Sequence, residues 1–158
     1  MSNIFNASEI YQFAIRIEEN GEKFYRQMAK KLDEPKVKEL FALLADDEVV
    51  HKKTFKEMLS QIETYEPPES YPGEYFEYLR AYVDNVLFSI NKFDEDVEKI
   101  HNALEAIQFA IDKELDSVLY YQEMRNVVLA HQKELIKNII EEERRHVVKL
   151  SEIKRKMK

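Results

Sequence analysis

The hexapeptide Asp46-Asp47-Glu48-Val49-Val50-His51 returns later in the chain as Glu141-Glu142-Glu143-Arg144-Arg145-His146. Both copies place a glutamate three residues before a histidine and two acidic residues before that glutamate. The match extends outward, because 38–40 and 133–135 are both Lys-Glu-Leu. Residues three apart lie on one face of a helix, so each copy presents a carboxylate beside an imidazole.

A second repeat precedes each of these two stretches. The pattern Ala14-Ile15-x-x-Glu18-x-x-Gly21-x-x-Phe24-Tyr25-x-x-Met28 matches Ala110-Ile111-x-x-Glu114-x-x-Ser117-x-x-Tyr120-Tyr121-x-x-Met124. The chain therefore consists of two similar halves. Two similar halves can pack about a pseudo-twofold axis, which places equivalent residues around one centre.

Hydrophobic periodicity predicts four long helices. Short connections join the first helix to the second and the third to the fourth, so each pair is predicted to form an antiparallel hairpin. Together they predict one all-α domain over 1–158, the ferritin-like form of the four-helix bundle. The predicted long helices span about 8–32, 35–65, 97–128 and 131–155, and a crossover at about 66–96 contains a short helix at 74–88 and a polar stretch at 91–96.

The composition excludes several classes of protein. The sequence has no cysteine and only two glycines, which argues against a disulfide framework, a β-sandwich and a glycine-rich nucleotide-binding loop. The net charge of -7 makes nucleic acid an unsuitable partner. No apolar run is long enough to span a membrane, and the N-terminus lacks a signal pattern, so we expect a cytoplasmic protein with no membrane partner.

Each long helix has an apolar seam that polar residues interrupt near the middle of the helix. The fourth seam, for example, is predicted to contain Leu135, Ile139 and Leu150. The middles of antiparallel neighbours lie side by side, so the interruptions are predicted to meet in the bundle core. They are Glu18, Glu48, His51, Glu114, Glu143 and His146.

Four carboxylates in a dry core must either bind protons or bind cations, because desolvation and mutual repulsion destabilise four buried negative charges. Two divalent cations would balance the four glutamates. Carboxylates and imidazoles suit iron, manganese or zinc, and carboxylates can bridge two metals. The six residues are therefore predicted to ligate two metal ions.

Other histidines fit a structural role better. Glu98 and His101 form a third Glu-x-x-His pair, but they lie at the start of the third predicted helix and have no counterpart in the repeat. His131 lies near the start of the fourth. A solvated helix face explains all three residues.

Neighbouring glutamates compete for two of the ligand positions. Glu19 follows Glu18, but only Glu18 lies on the seam and matches the repeat. Glu141 and Glu142 precede Glu143, and only Glu143 has a histidine three residues later. We therefore expect Glu18 and Glu143 to be the ligands.

Four further residues are candidates to support the ligands. Tyr25 and Tyr121 each follow a ligand glutamate by seven residues on the same seam, where they could pack in the core or hydrogen-bond a ligand carboxylate. Asp47 and Glu142 directly precede Glu48 and Glu143. Each could orient the histidine of the opposite helix through the nitrogen that does not bind metal.

These motifs resemble the rubrerythrin branch of the ferritin-like superfamily over nearly the whole chain. The resemblance is carried by Glu18 with Gly21 and Phe24-Tyr25, Glu48-x-x-His51, Glu114 with Tyr120-Tyr121, and Glu143-x-x-His146. It implies a di-iron centre that reacts with hydrogen peroxide or dioxygen. It also implies that Glu48 and Glu143 bridge the two irons, that Glu18 and Glu114 are terminal ligands, and that the protein is a homodimer.

The sequence departs from that family in two respects. Rubrerythrins carry a second carboxylate three residues after the first on the third helix, where this chain has Ser117. They also carry a cysteine-ligated rubredoxin domain that supplies electrons, and this chain has no cysteine. The electrons would therefore come from a separate donor protein or a small molecule.

We thus expect a non-haem di-iron oxidoreductase that reduces peroxide or dioxygen with electrons from an external donor. Two other functions fit the same residues. One is oxidation and sequestration of iron, as in ferritins. The other is a helical interaction module with a structural metal site.

Overall fold

The computed structural model describes residues 7–62, 77–78, 81 and 90–157. Within those residues the chain is helical and contains no strand, which confirms the all-α prediction. The helices are α1 (Ala7–Lys31), α2 (Pro35–Ile62), α3 (Ile90–Glu98), α4 (Ala103–Arg125) and α5 (Lys133–Lys156), with a 3-10 turn at Ala130–Gln132 before α5.

The third predicted helix, 97–128, is wrong at both ends. The polar stretch at 91–96 is itself helical and belongs to α3. Phe93 and Val97 lie four residues apart on α3 and pack against the core, which explains why that segment is helical. The next helix starts only at Ala103, because the Asn102 side chain accepts a hydrogen bond from the backbone N–H of Glu105 and caps α4. At the other end, α4 stops at Arg125.

The predicted short helix at 74–88 lies largely outside the described residues, as do the last residues of the predicted second helix, 63–65. The three described positions in the short helix, 77, 78 and 81, are helical. No helix in the described part of the chain is long and apolar enough to cross a membrane.

Antiparallel hairpins form as predicted, α1 with α2 and α4 with α5. Two apolar clusters lie between the hairpins, one toward each end of the bundle. One contains Ile10, Phe55, Met58, Tyr121 and Ile136 among others. The other contains Phe24, Leu32, Phe41, Ile107 and Leu150 among others. The polar middle of each helix lies between these clusters, so apolar side chains close the centre of the bundle from both ends.

The seam of the last long helix differs from the prediction by one residue. Leu135 is 43% exposed, whereas Ile136 is fully buried. Both positions are compatible with Ile139, since residues three and four before it lie on neighbouring parts of one helical face. Near the start of α5, Ile136 therefore faces the core and Leu135 does not.

Candidate metal centre

The six predicted ligand residues lie together in the middle of the bundle. α1 supplies Glu18, α2 supplies Glu48 and His51, α4 supplies Glu114, and α5 supplies Glu143 and His146. Their exposed fractions are 0%, 4%, 2%, 4%, 1% and 2% in that order. Charged residues are rarely this buried unless they are paired or bind a metal.

The side chains form two overlapping groups that could each hold a metal ion. In each group, one potential ligand atom from every member lies within 4.8 Å of the others. Glu48 and Glu143 belong to both groups, so their carboxylates lie between the two positions. The groups are Glu18, Glu48, His51 and Glu143, and Glu48, Glu114, Glu143 and His146.

One atom from each of the six side chains has no hydrogen-bond partner. Buried polar atoms are usually hydrogen-bonded, so six such atoms in one place indicate a missing positive partner. His51 Nδ1 lies 2.8 Å from Glu143 Oε1, and His146 Nδ1 lies 3.4 Å from Glu114 Oε1. Lone pairs that converge in this way fit metal cations. The atoms are Glu18 Oε2, Glu48 Oε1, His51 Nδ1, Glu114 Oε2, Glu143 Oε1 and His146 Nδ1.

The second nitrogen of each histidine points away from the cluster toward a carboxylate of the opposite hairpin. His51 Nε2 lies 2.5 Å from Glu142 Oε2, and His146 Nε2 lies 3.0 Å from Asp47 Oδ2. These are the two contacts that the sequence predicts for Asp47 and Glu142. A carboxylate that accepts from Nε2–H leaves the Nδ1 lone pair free to face the cluster.

The two tyrosines cross between the hairpins in the same symmetrical way. The Tyr25 hydroxyl on α1 donates to Glu114 Oε1 on α4 at 2.5 Å. The Tyr121 hydroxyl on α4 donates to Glu18 Oε1 on α1. Both rings also pack in the core, since the ring centroids are 5.2 Å apart for Tyr25 and Phe41 and 5.1 Å apart for Tyr121 and Phe55. Each tyrosine therefore both packs in the core and donates a hydrogen bond to a glutamate of the cluster.

Burial and crowding shift the pKa values of this cluster, mostly toward the protonated forms. Burial raises the pKa of Glu48 and Glu143 well above the usual glutamate value, and neighbouring carboxylates raise it further. Burial lowers the pKa of His51, but contacts with Glu143 and Glu18 outweigh it and raise that pKa to about 12. Burial would raise the pKa of Glu114 too, yet contacts with Glu143 and His146 lower it.

The remaining predicted alternatives lie outside the cluster. His101 and His131 are exposed, and so are Glu19 and Glu141. Ser117, at the position of the additional family carboxylate, is buried, but its hydroxyl donates to the Lys113 backbone carbonyl at 2.9 Å.

A surface cavity of about 300 Å³ lies against the outer side of α2 and α5. Asp47 and Glu142 line this cavity together with His146. His146 reaches this cavity directly, and His51 is one hydrogen bond away from it through Glu142. The other lining residues are Val50, Arg145 and Lys149.

Two helical hairpins with a Glu on the first helix and a Glu-x-x-His pair on the second define the ferritin-like class of carboxylate proteins. A sequence profile of the rubrerythrin family matches residues 9–154, so the chain belongs to the rubrerythrin family.

Comparison with solved structures gives the same fold. The chain is similar to a protein from Thermotoga maritima whose crystal structure is described as that of a ferritin-like diiron-carboxylate protein. The sequence identity is 25%, the TM-score is 0.70, and the similarity covers 100% of both chains. Comparison with curated proteins gives no match. Family and structure together confirm the predicted rubrerythrin resemblance and the ferritin-like bundle.

Proposed function

We propose that the six clustered side chains bind two iron ions and that the protein reduces hydrogen peroxide or dioxygen with electrons from a separate donor protein. The observation that carries the proposal is the set of six buried, unpartnered atoms, one from each of these residues. A hydrogen-bonded structural cluster would leave few such atoms, because a buried polar atom without a partner costs about 1–3 kcal/mol.

The chemistry of the donor atoms favours iron. Four carboxylates and two imidazoles, without any thiolate, suit iron, manganese or zinc. The similar protein from Thermotoga maritima is described as a diiron-carboxylate protein, which supports iron over the other two. The proposed bridging residues are Glu48 and Glu143, because each belongs to both ligand groups.

The chain's own contribution is to hold the ligands and exclude water. Bound iron ions would supply the electrons that the oxidant accepts. Glu142 and Asp47 hold the imidazoles so that Nδ1 of each faces the cluster. Tyr25 and Tyr121 hold one oxygen each of Glu114 and Glu18. These contacts fix the ligand geometry before metal binds, which lowers the reorganisation that the reaction requires.

These 158 residues contain no cysteine for a rubredoxin-type site, so we assign electron supply to a donor outside them. The cavity beside Asp47 and Glu142 is the surface from which electrons would reach the centre most directly, since both residues contact a ligand histidine.

Anaerobic loading with ferrous iron, followed by stopped-flow mixing with peroxide, tests the proposal. We expect about two irons per chain, as in two-metal sites, and rapid oxidation without further uptake. Glu143→Gln should abolish both. Glu98→Gln is the matched control, because it makes the same change in an exposed Glu-x-x-His pair.

Two other results would contradict the proposed reaction. Continued uptake of many irons per chain would indicate iron storage. Bound iron that peroxide does not oxidise would indicate a structural metal site.

A further inference from the structure

Gly21 lies on α1, one turn after Glu18, and faces the metal cluster. Its backbone does not require glycine, because no glycine in the described residues has a positive φ. Glycine in a helix interior is also less favourable than alanine. The reason for glycine here must therefore lie in what surrounds it.

The Glu48 carboxylate occupies the space that a side chain at Gly21 would fill. A Cβ atom on Gly21 would lie 2.7 Å from Glu48 Oε2, 3.1 Å from its Cδ and 3.4 Å from its Cγ. The first distance is too short for a carbon–oxygen contact. With glycine at position 21, Oε2 lies over the α1 backbone while Oε1 is the oxygen that has no partner within the cluster.

The equivalent position in the other half of the molecule is filled. Ser117 matches Gly21 in the repeat and lies one turn after Glu114. Its side chain is present and its hydroxyl is bound to the Lys113 carbonyl. The first half of the site therefore has, beside Gly21, a space that a carboxylate occupies, whereas the second half has a side chain at the equivalent position.

We propose that Gly21 is a positioning residue, which keeps open the space in which the Glu48 carboxylate lies and so sets how Glu48 reaches both metal positions. This inference rests on the proposed two-metal site. Glu48 is one of the two residues that both ligand groups share, so a displacement of its carboxylate changes both positions at once.

The substitution Gly21→Ala separates this role from a purely structural one. Alanine favours the helix, and the group it meets is the end of a flexible side chain, so we expect the fold to persist. The displaced Glu48 carboxylate should weaken binding of the second metal ion by about tenfold or more, the effect typical of residues that orient ligands. If Gly21 affected only the stability of the helix, Gly21→Ala would bind metal as well as wild type does and would be more stable.

Cobalt(II) is the probe, because its visible absorption reports ligand geometry without any reaction with peroxide. Wild type should bind two cobalt ions with one characteristic spectrum. Gly21→Ala should show weaker second-site binding and a changed spectrum, while circular dichroism stays helical. Ser117→Ala is the matched control at the equivalent position and should behave as wild type.

A double-mutant cycle with Glu48→Ala tests whether Gly21 acts through Glu48. Because Glu48→Ala removes a proposed ligand, the cycle is read in the unfolding free energy of the metal-free protein, where Gly21→Ala should stabilise the Glu48→Ala background more than wild type. If Gly21→Ala alone prevents folding, the Gly21→Ala/Glu48→Ala double variant should fold again, and that rescue supports the same contact. Wild-type affinity and spectrum in Gly21→Ala would overturn the inference and leave the two-metal site intact. Failure of wild type to bind two cobalt ions would overturn the proposed site itself.

Discussion

Glu142 on α5 lies 2.5 Å from Nε2 of His51 on α2, so an acidic residue at the surface of one hairpin holds a buried histidine of the other. The equivalent contact runs the opposite way, from Asp47 on α2 to His146 on α5. The two hairpins therefore fix each other's imidazoles. The carboxylates accept from Nε2–H, and both Nδ1 atoms face the cluster.

Removal of the Glu142 carboxylate should weaken metal binding without unfolding the protein. In Glu142→Ala the His51 ring loses the partner that fixes its orientation, and we expect metal affinity to fall by about 10–100-fold. Glu141→Ala is the control, because Glu141 is the exposed neighbour in the sequence. Competition with a chelator measures the affinities. Equal affinities in the two variants would show that the Glu142 contact does not support the site.

The Tyr25 hydroxyl should matter to the site more than to the fold. Tyr25→Phe keeps the ring packing against Phe41 but leaves Glu114 Oε1 without its donor. We expect a lower metal affinity and a folded protein. Tyr120→Phe is the control, since it removes a buried hydrogen bond to the Ile10 carbonyl. That control should cost about 1 kcal/mol of unfolding free energy. It should also keep wild-type metal affinity, and a similar loss of affinity in both variants would contradict a specific role for Tyr25.

The stability of the metal-free protein should fall as pH rises above 4.5, the ordinary glutamate pKa. Glu48 and Glu143 have raised pKa values, so the folded state binds protons more tightly than the unfolded state. Stability is then lost as pH rises through the folded pKa values. The raised pKa values of His51 and His146 also make stability fall as pH rises, whereas the lowered pKa of Glu114 has the opposite effect.

Thermal unfolding between about pH 5 and pH 8, with and without metal, measures this dependence. Bound cations replace the protons, so metal should raise Tm most at the higher pH. In Glu143→Gln the metal-free protein should lose less stability over this range, because one carboxyl can no longer ionise. A metal-free Tm that rises steadily with pH would contradict the raised pKa values of Glu48 and Glu143.

Metal binding should release protons. The pKa values of Glu48, Glu143 and His51 are raised in the metal-free site, so these groups bind protons more tightly there than in the unfolded chain. The same groups must be deprotonated to act as ligands. Calorimetric titration with zinc in buffers of different ionisation enthalpy measures the number released. An observed binding enthalpy that is independent of the buffer would show that the site is already deprotonated.

The sequence was sufficient to predict the four long helices of the bundle and the residues that meet at its centre. Seam position and the internal repeat selected Glu18 over Glu19, the histidine three residues later selected Glu143 over Glu142, and the structure buries both selected residues. These signals arise from helical periodicity, which is local and regular. The cross-hairpin contacts of Asp47 and Glu142 followed from the same symmetry.

Features that depend on packing between elements could not be predicted in this way. The helix over 91–96 depends on Phe93 packing from α3 against the core, whereas the start of α4 at Ala103 is set by the local Asn102 cap, which periodicity alone does not detect. Whether Leu135 or Ile136 is buried depends on the rotation of α5, which periodicity leaves open by one residue. The repeat showed that position 21 is glycine, but it could not explain the absence of a side chain there, because that depends on the position of Glu48 on another helix.

The proposed metal ligands are shared between the two hairpins, which would impose an order on metal binding during synthesis. The α1–α2 hairpin alone has Glu18, Glu48 and His51, and the α4–α5 hairpin alone has Glu114, Glu143 and His146. Each four-residue group takes at least one member from the other hairpin. Metal binding at the proposed site would therefore wait until the C-terminal half has been synthesised and has packed against the first hairpin. A chain that pairs its hairpins wrongly would have no complete site, so metal content would act as a check on correct assembly.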